Sequence, residues 1–90
     1  MQFERDAGKS SLNSLKHGMD FETAKELWLD ESRVEIHAPY PVENRWITIA
    51  ELNGKIWAAV YTLRTGKIRI ISVRRARRKE EILYEKEKNG

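Results

Sequence analysis

The chain has 90 residues, 40% hydrophobic and 34% charged, with a formal net charge of +3 and no cysteine. That length allows one small domain, expected over residues 1–90, and the composition is too apolar for a disordered chain. No disulfide framework or thiolate zinc site is available, the longest apolar run (Ile56 to Tyr61) is far short of the ~20 residues of a membrane span, and the N-terminus has no signal-peptide core, so a cytoplasmic protein without a membrane anchor is expected.

Asp6 reads as the N-cap of a helix to Lys16, with Leu12 and Leu15 three apart and Gly18 placed to close it through a positive φ. Asp20 caps a second helix over Phe21 to Leu29, whose Phe21, Ala24, Leu27 and Trp28 form an apolar stripe. From Arg33 the period changes to two. Arg33 to Ala38 reads as a strand closed by a Pro39-Tyr40-Pro41 turn, and Arg45 to Leu52 as the next. Asn53-Gly54 is a strong hairpin signal, Lys55 to Leu63 is the third strand, and the Arg64-Thr65-Gly66 turn leads into a fourth, Lys67 to Val73. The tail from Arg75 to Lys88 is rich in helix formers, with Arg77 and Glu81 spaced for an i, i+4 pair. Helices grouped before a meander give an α+β class: two N-terminal helices, a four-stranded, largely antiparallel sheet and a C-terminal helix. The helices are expected to cover one face and leave the other open. Which face is buried is not fixed by the pattern, since both faces of the third and fourth strands carry apolar residues.

Charge is divided along this order. Residues 1–51 carry a net −4 and residues 52–90 a net +7, and the stretch from Asn53 to Lys79 holds nine bases and no acid. Such a field suits a polyanion, although a basic solubilising surface has the same composition. Arg45, Arg64 and Arg69 lie at strand starts or turns, where a four-stranded sheet brings them within reach of one another. Their planar forks suit phosphate, and they equally suit protection of sheet edges. His17 sits at a helix C-terminus, where capping the last carbonyls is the plain reading; His37, mid-strand, reads as a packing or surface residue. The two histidines have no metal-ligand spacing and the basic half has no carboxylate cluster, so no metal site is expected.

A basic sheet that cleaves a polyanion without a metal points to RNA, whose 2′-hydroxyl is a nucleophile already held beside the phosphate. The protein then needs groups that move protons and groups that hold charge on the phosphorane. His17, Glu43, Tyr61, Arg64, Arg69 and Arg74 supply such types. Glu43 is either a base or, the favoured reading, a partner for Arg45; Tyr61 either stacks on a base or packs in the core. The rival reading is a small basic domain that binds nucleic acid or a protein without cutting.

Several segments sharpen this reading. Phe3-Glu4-Arg5-Asp6-Ala7-Gly8-Lys9 with Asn13, Lys16-His17-Gly18, and Phe21-Glu22-Thr23-Ala24 open the series. Glu43-Asn44-Arg45-Trp46-Ile47-Thr48-Ile49, Val60-Tyr61-Thr62 with Arg64, Arg69-Ile70-Ile71-Ser72-Val73-Arg74-Arg75-Ala76, and Tyr84-Glu85 continue it. In this ordered set the sequence resembles the BrnT family, small ribonuclease toxins of bacterial type II toxin–antitoxin systems. Arg5 stands where family members usually have Trp. The resemblance implies a fold similar to the RelE ribonucleases, a metal-independent endoribonuclease and no cofactor. It implies a BrnA-like antitoxin as partner, in a 2:2 complex that reaches operator DNA only through the antitoxin. His17, in the Lys-His-Gly motif, is the expected proton-transfer residue, with Arg64 and Arg69 as the catalytic arginines. Lys9, Lys16, Arg45, Tyr61, Arg74 and Arg75 are the expected RNA contacts.

Overall fold

The Asp6 carboxylate accepts the Lys9 N–H at 3.0 Å and starts helix α1, Ala7–His17. Gly18 ends it at φ +82°, a left-handed conformation that disfavours any side chain, with its N–H donating to the Ser14 carbonyl at 2.9 Å. Asp20 repeats the device. Its carboxylate accepts the Thr23 N–H at 2.7 Å, which holds its pKa below the ordinary value, and α2 begins at Phe21. This architecture comes from a computed structural model that describes residues 2–38 and 43–90; the expected Pro39-Tyr40-Pro41 turn lies outside the described residues.

The second helix is not one regular α-helix to Leu29. It is α-helical only over Phe21–Ala24 and continues as a 3₁₀ segment over Lys25–Leu29. The tighter winding aligns residues three apart, so Ala24 and Leu27 share one line into the core, where both are fully buried.

Four strands follow: β1 Val34–Ala38, β2 Arg45–Leu52, β3 Lys55–Arg64 and β4 Lys67–Arg75. They pair in sequence order, every neighbour antiparallel. Register sorts the faces. Trp46, Thr48 and Ala50 of β2 oppose Tyr61, Ala59 and Trp57 of β3, and Val73 and Ile70 of β4 complete that face. Against it pack Met19, Phe21, Ala24, Leu27 and Trp28, which form the main core.

The expectation that all helices cover one face does not hold. Ile49 and Ala58 alternate with Ala50 and Ala59, hence lie on the second face, and are fully buried. The element packed on β1 and β2 there is α3, Arg78–Asn89. The sheet is therefore covered on both sides, the second only in part. The helix starts at Arg78 because β4 persists to Arg75, paired with Trp57, and Ala76 N–H still donates to the Ile56 carbonyl at 2.9 Å. This shift also replaces the expected Arg77–Glu81 pair with Arg78–Glu81 at 3.8 Å.

Asp30 joins the layers. Its carboxylate accepts from Ser32 N–H at 2.8 Å, Glu51 N–H at 2.9 Å and the Tyr84 hydroxyl at 2.6 Å. Burial pushes its pKa up, and these hydrogen bonds outweigh burial and hold it below the ordinary value. Burial, then the Asp30 carboxylate, push the Tyr84 phenol up.

The outer edge of β4 is closed without a fifth strand. Ile68 N–H donates to the Gln2 carbonyl and Glu4 N–H to the Ile68 carbonyl, both at 2.8 Å. Farther along, the Asn13 amide stands in for a strand. Its nitrogen donates to the Val73 carbonyl at 2.8 Å and the Met19 carbonyl at 2.7 Å, and its oxygen accepts the Val73 N–H at 3.1 Å. Ser10 adds a bond, its hydroxyl accepting the Phe21 N–H at 2.8 Å. Leu12 and Leu15, by contrast, are 66% and 86% exposed, so α1 docks through polar groups.

Asn13→Ala leaves three backbone groups unpaired, and is expected to lower unfolding free energy by about 2–4 kcal/mol in urea titrations, against within ~0.5 kcal/mol for Leu15→Ala. The two tight hairpins supply a second test. Asn53 and Gly54 carry φ +53° and +79°, and Thr65 and Gly66 repeat them at +48° and +79°. A β-branched residue is strained there, so Thr65→Asn is expected to stabilise by about 1 kcal/mol in the same assay.

Candidate functional site

Register decides which of the basic side chains meet. Arg64 pairs with Lys67, and Thr62 with Arg69, so Arg64, Lys67 and Arg69 share the second face at the β3–β4 turn. Arg64 and Arg69 are diagonal neighbours, roughly 7–8 Å apart at their backbones. Arg45 shares that face and that end of the sheet: it alternates with Trp46, which pairs with Tyr61. The Thr62 hydroxyl ties the two strands there by donating to the Asn44 carbonyl at 2.7 Å. The sheet thus brings Arg45, Arg64 and Arg69 together. Lys67 joins them, a residue not singled out from the sequence, although the Thr65-Gly66 turn already implies its pairing with Arg64.

A second group forms at the β4 edge. Lys9, Lys16 and His17 of α1 line a groove of about 210 Å³ with Leu12, Asn13, Ile71 and Ser72. Asn13 places it, since its bonds to Val73 hold α1 against this stretch of β4. A β-bulge adds to it. Val60 pairs with Ser72 and Tyr61 with Ile70, so Ile71 is the extra residue, and Ile71 and Ser72 are the groove's β4 wall. Arg69 lies two residues before Ile71, roughly 7 Å along the strand. The two basic groups therefore adjoin through β4. Among the described residues, Lys9, Lys16, His17, Arg64 and Lys67 make no ion pair, while Arg69 Nη1 lies 3.5 Å from the Glu4 carboxylate.

Three expected contacts have other surroundings. Arg74 donates to Glu80 of α3 through Nη1 and Nη2, at 2.7 and 3.0 Å. Glu80 Oε1 also accepts the Arg77 N–H at 2.7 Å. The Arg74 bond holds the Glu80 carboxyl below its ordinary pKa against burial, and Glu80 raises that of Arg74. Arg74 thus anchors α3 onto the second face. Arg75 lies at the opposite end of the sheet, its guanidinium 5.6 Å from the Trp57 ring centroid. Tyr61 is corrected from RNA contact to core residue. It is 5% exposed, Trp28 meets it edge-on, Trp46 stacks on it, and its hydroxyl donates to Glu35. Burial, then Glu35, push its phenol far above the ordinary range.

Chemically, the surface joins an imidazole, three ammonium groups and a set of guanidinium forks beside a partly apolar wall. This suits a phosphodiester backbone. Among the described residues, no group of three or more histidine, aspartate or glutamate side chains is disposed to hold a metal ion, and no helix is long and apolar enough to cross a membrane.

The family described as "Ribonuclease toxin, BrnT, of type II toxin-antitoxin system" matches the chain over residues 6–80, a span that includes α1, the whole sheet and the start of α3. No curated protein matches it.

The Arg74–Glu80 bond makes a prediction with a definite sign. Glu80 and Asp30 both titrate below their ordinary values when folded, so the folded state binds fewer protons. Their contribution is complete above the ordinary carboxylate range of about pH 4 and is lost as pH falls through the lowered values. Glu80→Gln is expected to cost about 1.5–3 kcal/mol at pH 7. Urea titrations at several pH values should show wild type losing stability below about pH 4.5, and the variant losing less over that interval.

Proposed function

The chain belongs to the BrnT family of ribonuclease toxins of type II toxin–antitoxin systems, and on that premise we propose that it is a metal-independent endoribonuclease acting through the surface made by α1, β4 and the β3–β4 turn. The observation that carries this reading is the groove that Lys9, Lys16 and His17 line together, whose β4 wall begins two residues from Arg69.

The RNA backbone lies along β4. Lys9 and Lys16 hold a phosphate at the groove, and Arg64, Lys67 and Arg45 hold its neighbours at the turn. The 2′-oxygen forms a bond to phosphorus while its proton passes to a base; the phosphorus–O5′ bond breaks and O5′ takes up a proton. The products are a 2′,3′-cyclic phosphate and a 5′-hydroxyl. His17 serves one of these proton transfers. Arg69, released from Glu4 by the stronger charge of the phosphate, and Arg64 stabilise the doubly charged phosphorane. The partner is a BrnA-like antitoxin, in a 2:2 complex, whose acidic groups compete with phosphate for Lys9, Lys16 and Arg64. Operator DNA is contacted through the antitoxin, and the toxin acts on cellular RNA in the cytoplasm.

Cleavage of end-labelled RNA in EDTA tests this. Wild type is expected to leave cyclic phosphate ends. His17→Ala, Arg64→Ala and Arg69→Ala should each lose about 10²-fold or more in rate while remaining folded, and Lys86→Ala, on α3, should not. Activity only on added Mg²⁺ would contradict the metal-free mechanism. Binding without cutting, with and without ribosomes, would leave a non-catalytic RNA-binding domain.

A further inference from the structure

Three rings lie side by side on neighbouring strands. His37 of β1 pairs with Trp46 of β2, and Trp46 with Tyr61 of β3. His37 stacks on Trp46 with ring centroids 5.1 Å apart and an interplanar angle of 26°; Trp46 stacks on Tyr61 at 6.0 Å and 23°. The ring spacing follows the strand spacing of roughly 4.8 Å, so the stack runs across the sheet. Its inner end is closed by Trp28, edge-on to Tyr61 at 5.3 Å. Its outer end stops at β1, an edge strand, where His37 is exposed. Among the described residues no further ring stacks on His37.

An exposed histidine on an edge strand is ordinary. A histidine whose ring plane is fixed by two rings behind it is a platform, ready to take one more flat ring at the same spacing. The same end of the sheet carries Arg45, Arg64, Lys67 and Arg69 on its other face, across the sheet end from the platform. Single-stranded nucleic acids are held by this combination of a cationic backbone track and flat side chains on which bases stack. Two residues along β1 on the same face, the Glu35 carboxylate is already engaged by its neighbours. It accepts from the Thr48 hydroxyl at 2.8 Å and from Tyr61, and lies 3.7 Å from Arg33 Nε.

We propose that His37, backed by Trp46, is a base-stacking subsite: one nucleobase of single-stranded RNA stacks on its outer face while the backbone passes around the sheet end to the arginines. This rests on the RNA reading above and adds to it a residue that selects single-stranded, base-bearing substrate.

The test compares two oligomers of equal length and backbone charge, a 2′-O-methyl oligoribonucleotide that cannot be cleaved and its abasic counterpart. Wild type is expected to bind the base-bearing oligomer at least about five-fold more tightly. His37→Ala should lose that preference with unchanged affinity for the abasic oligomer, and His37→Phe should keep it. Equal binding of both by wild type, or a preference that survives His37→Ala, overturns the subsite. Binding of neither oligomer overturns the RNA reading itself, and the subsite with it.

Discussion

The Asn13 side chain is the point on which the arrangement turns. Val73 has an N–H and a carbonyl on the open edge of β4, and a buried pair of that kind left unmatched is strongly destabilising. One amide satisfies both, and the same nitrogen holds the Met19 carbonyl between α1 and α2. Helix α1 has little apolar surface in contact with the sheet, since its two leucines face outward. Hydrogen bonding therefore sets where it sits. Because α1 lies along β4, Lys9, Lys16 and His17 stand beside Ile71 and Ser72, and the groove exists at all. The same closure, with Gln2 and Glu4 on Ile68, protects an edge that would otherwise pair with other chains.

A second constraint shapes the rest of the surface. Helix α3 returns across the second face and is fixed by Arg74 to Glu80 and by Tyr84 to Asp30. It covers the part of the sheet where Ile49 and Ala58 are buried, and leaves the β3–β4 turn end uncovered. The arginines there are thus presented by rigid strands, which hold charge in place better than a loop does. Local strain lies in the same place, since Thr65 is held at positive φ between Arg64 and Lys67. Strain of that kind is commonly kept where a tight turn positions a working residue.

Much of this was readable from the sequence, and the limits are physical. Asp6, Asp20 and Gly18 act locally, so the caps declare themselves. Asn53-Gly54 and Thr65-Gly66 fix the two hairpin registers, and register alone brings Arg64 to Arg69. Sequence is less informative where the deciding contact is distant. Both faces of β3 carry apolar residues, so nothing local tells that α3 covers the second. Tyr61 and Arg74 look like available polar residues until Glu35 and Glu80 are seen to hold them, from 26 and 6 residues away. The bulge at Ile71 leaves no clear mark in an otherwise apolar strand. The 3₁₀ winding of Lys25–Leu29 is likewise a demand of the core, and helix propensity does not reveal it.

The central claim is that RNA lies on α1, β4 and the β3–β4 turn. Amide chemical-shift mapping by NMR, with an uncleavable single-stranded oligoribonucleotide, tests it most directly. The largest changes are expected on Lys16, His17 and Gly18 of the α1 end and on Lys67, Arg69, Ile71 and Ser72 of β4. Changes confined to Lys55, Trp57 and Arg75, at the opposite end of the sheet, would contradict it.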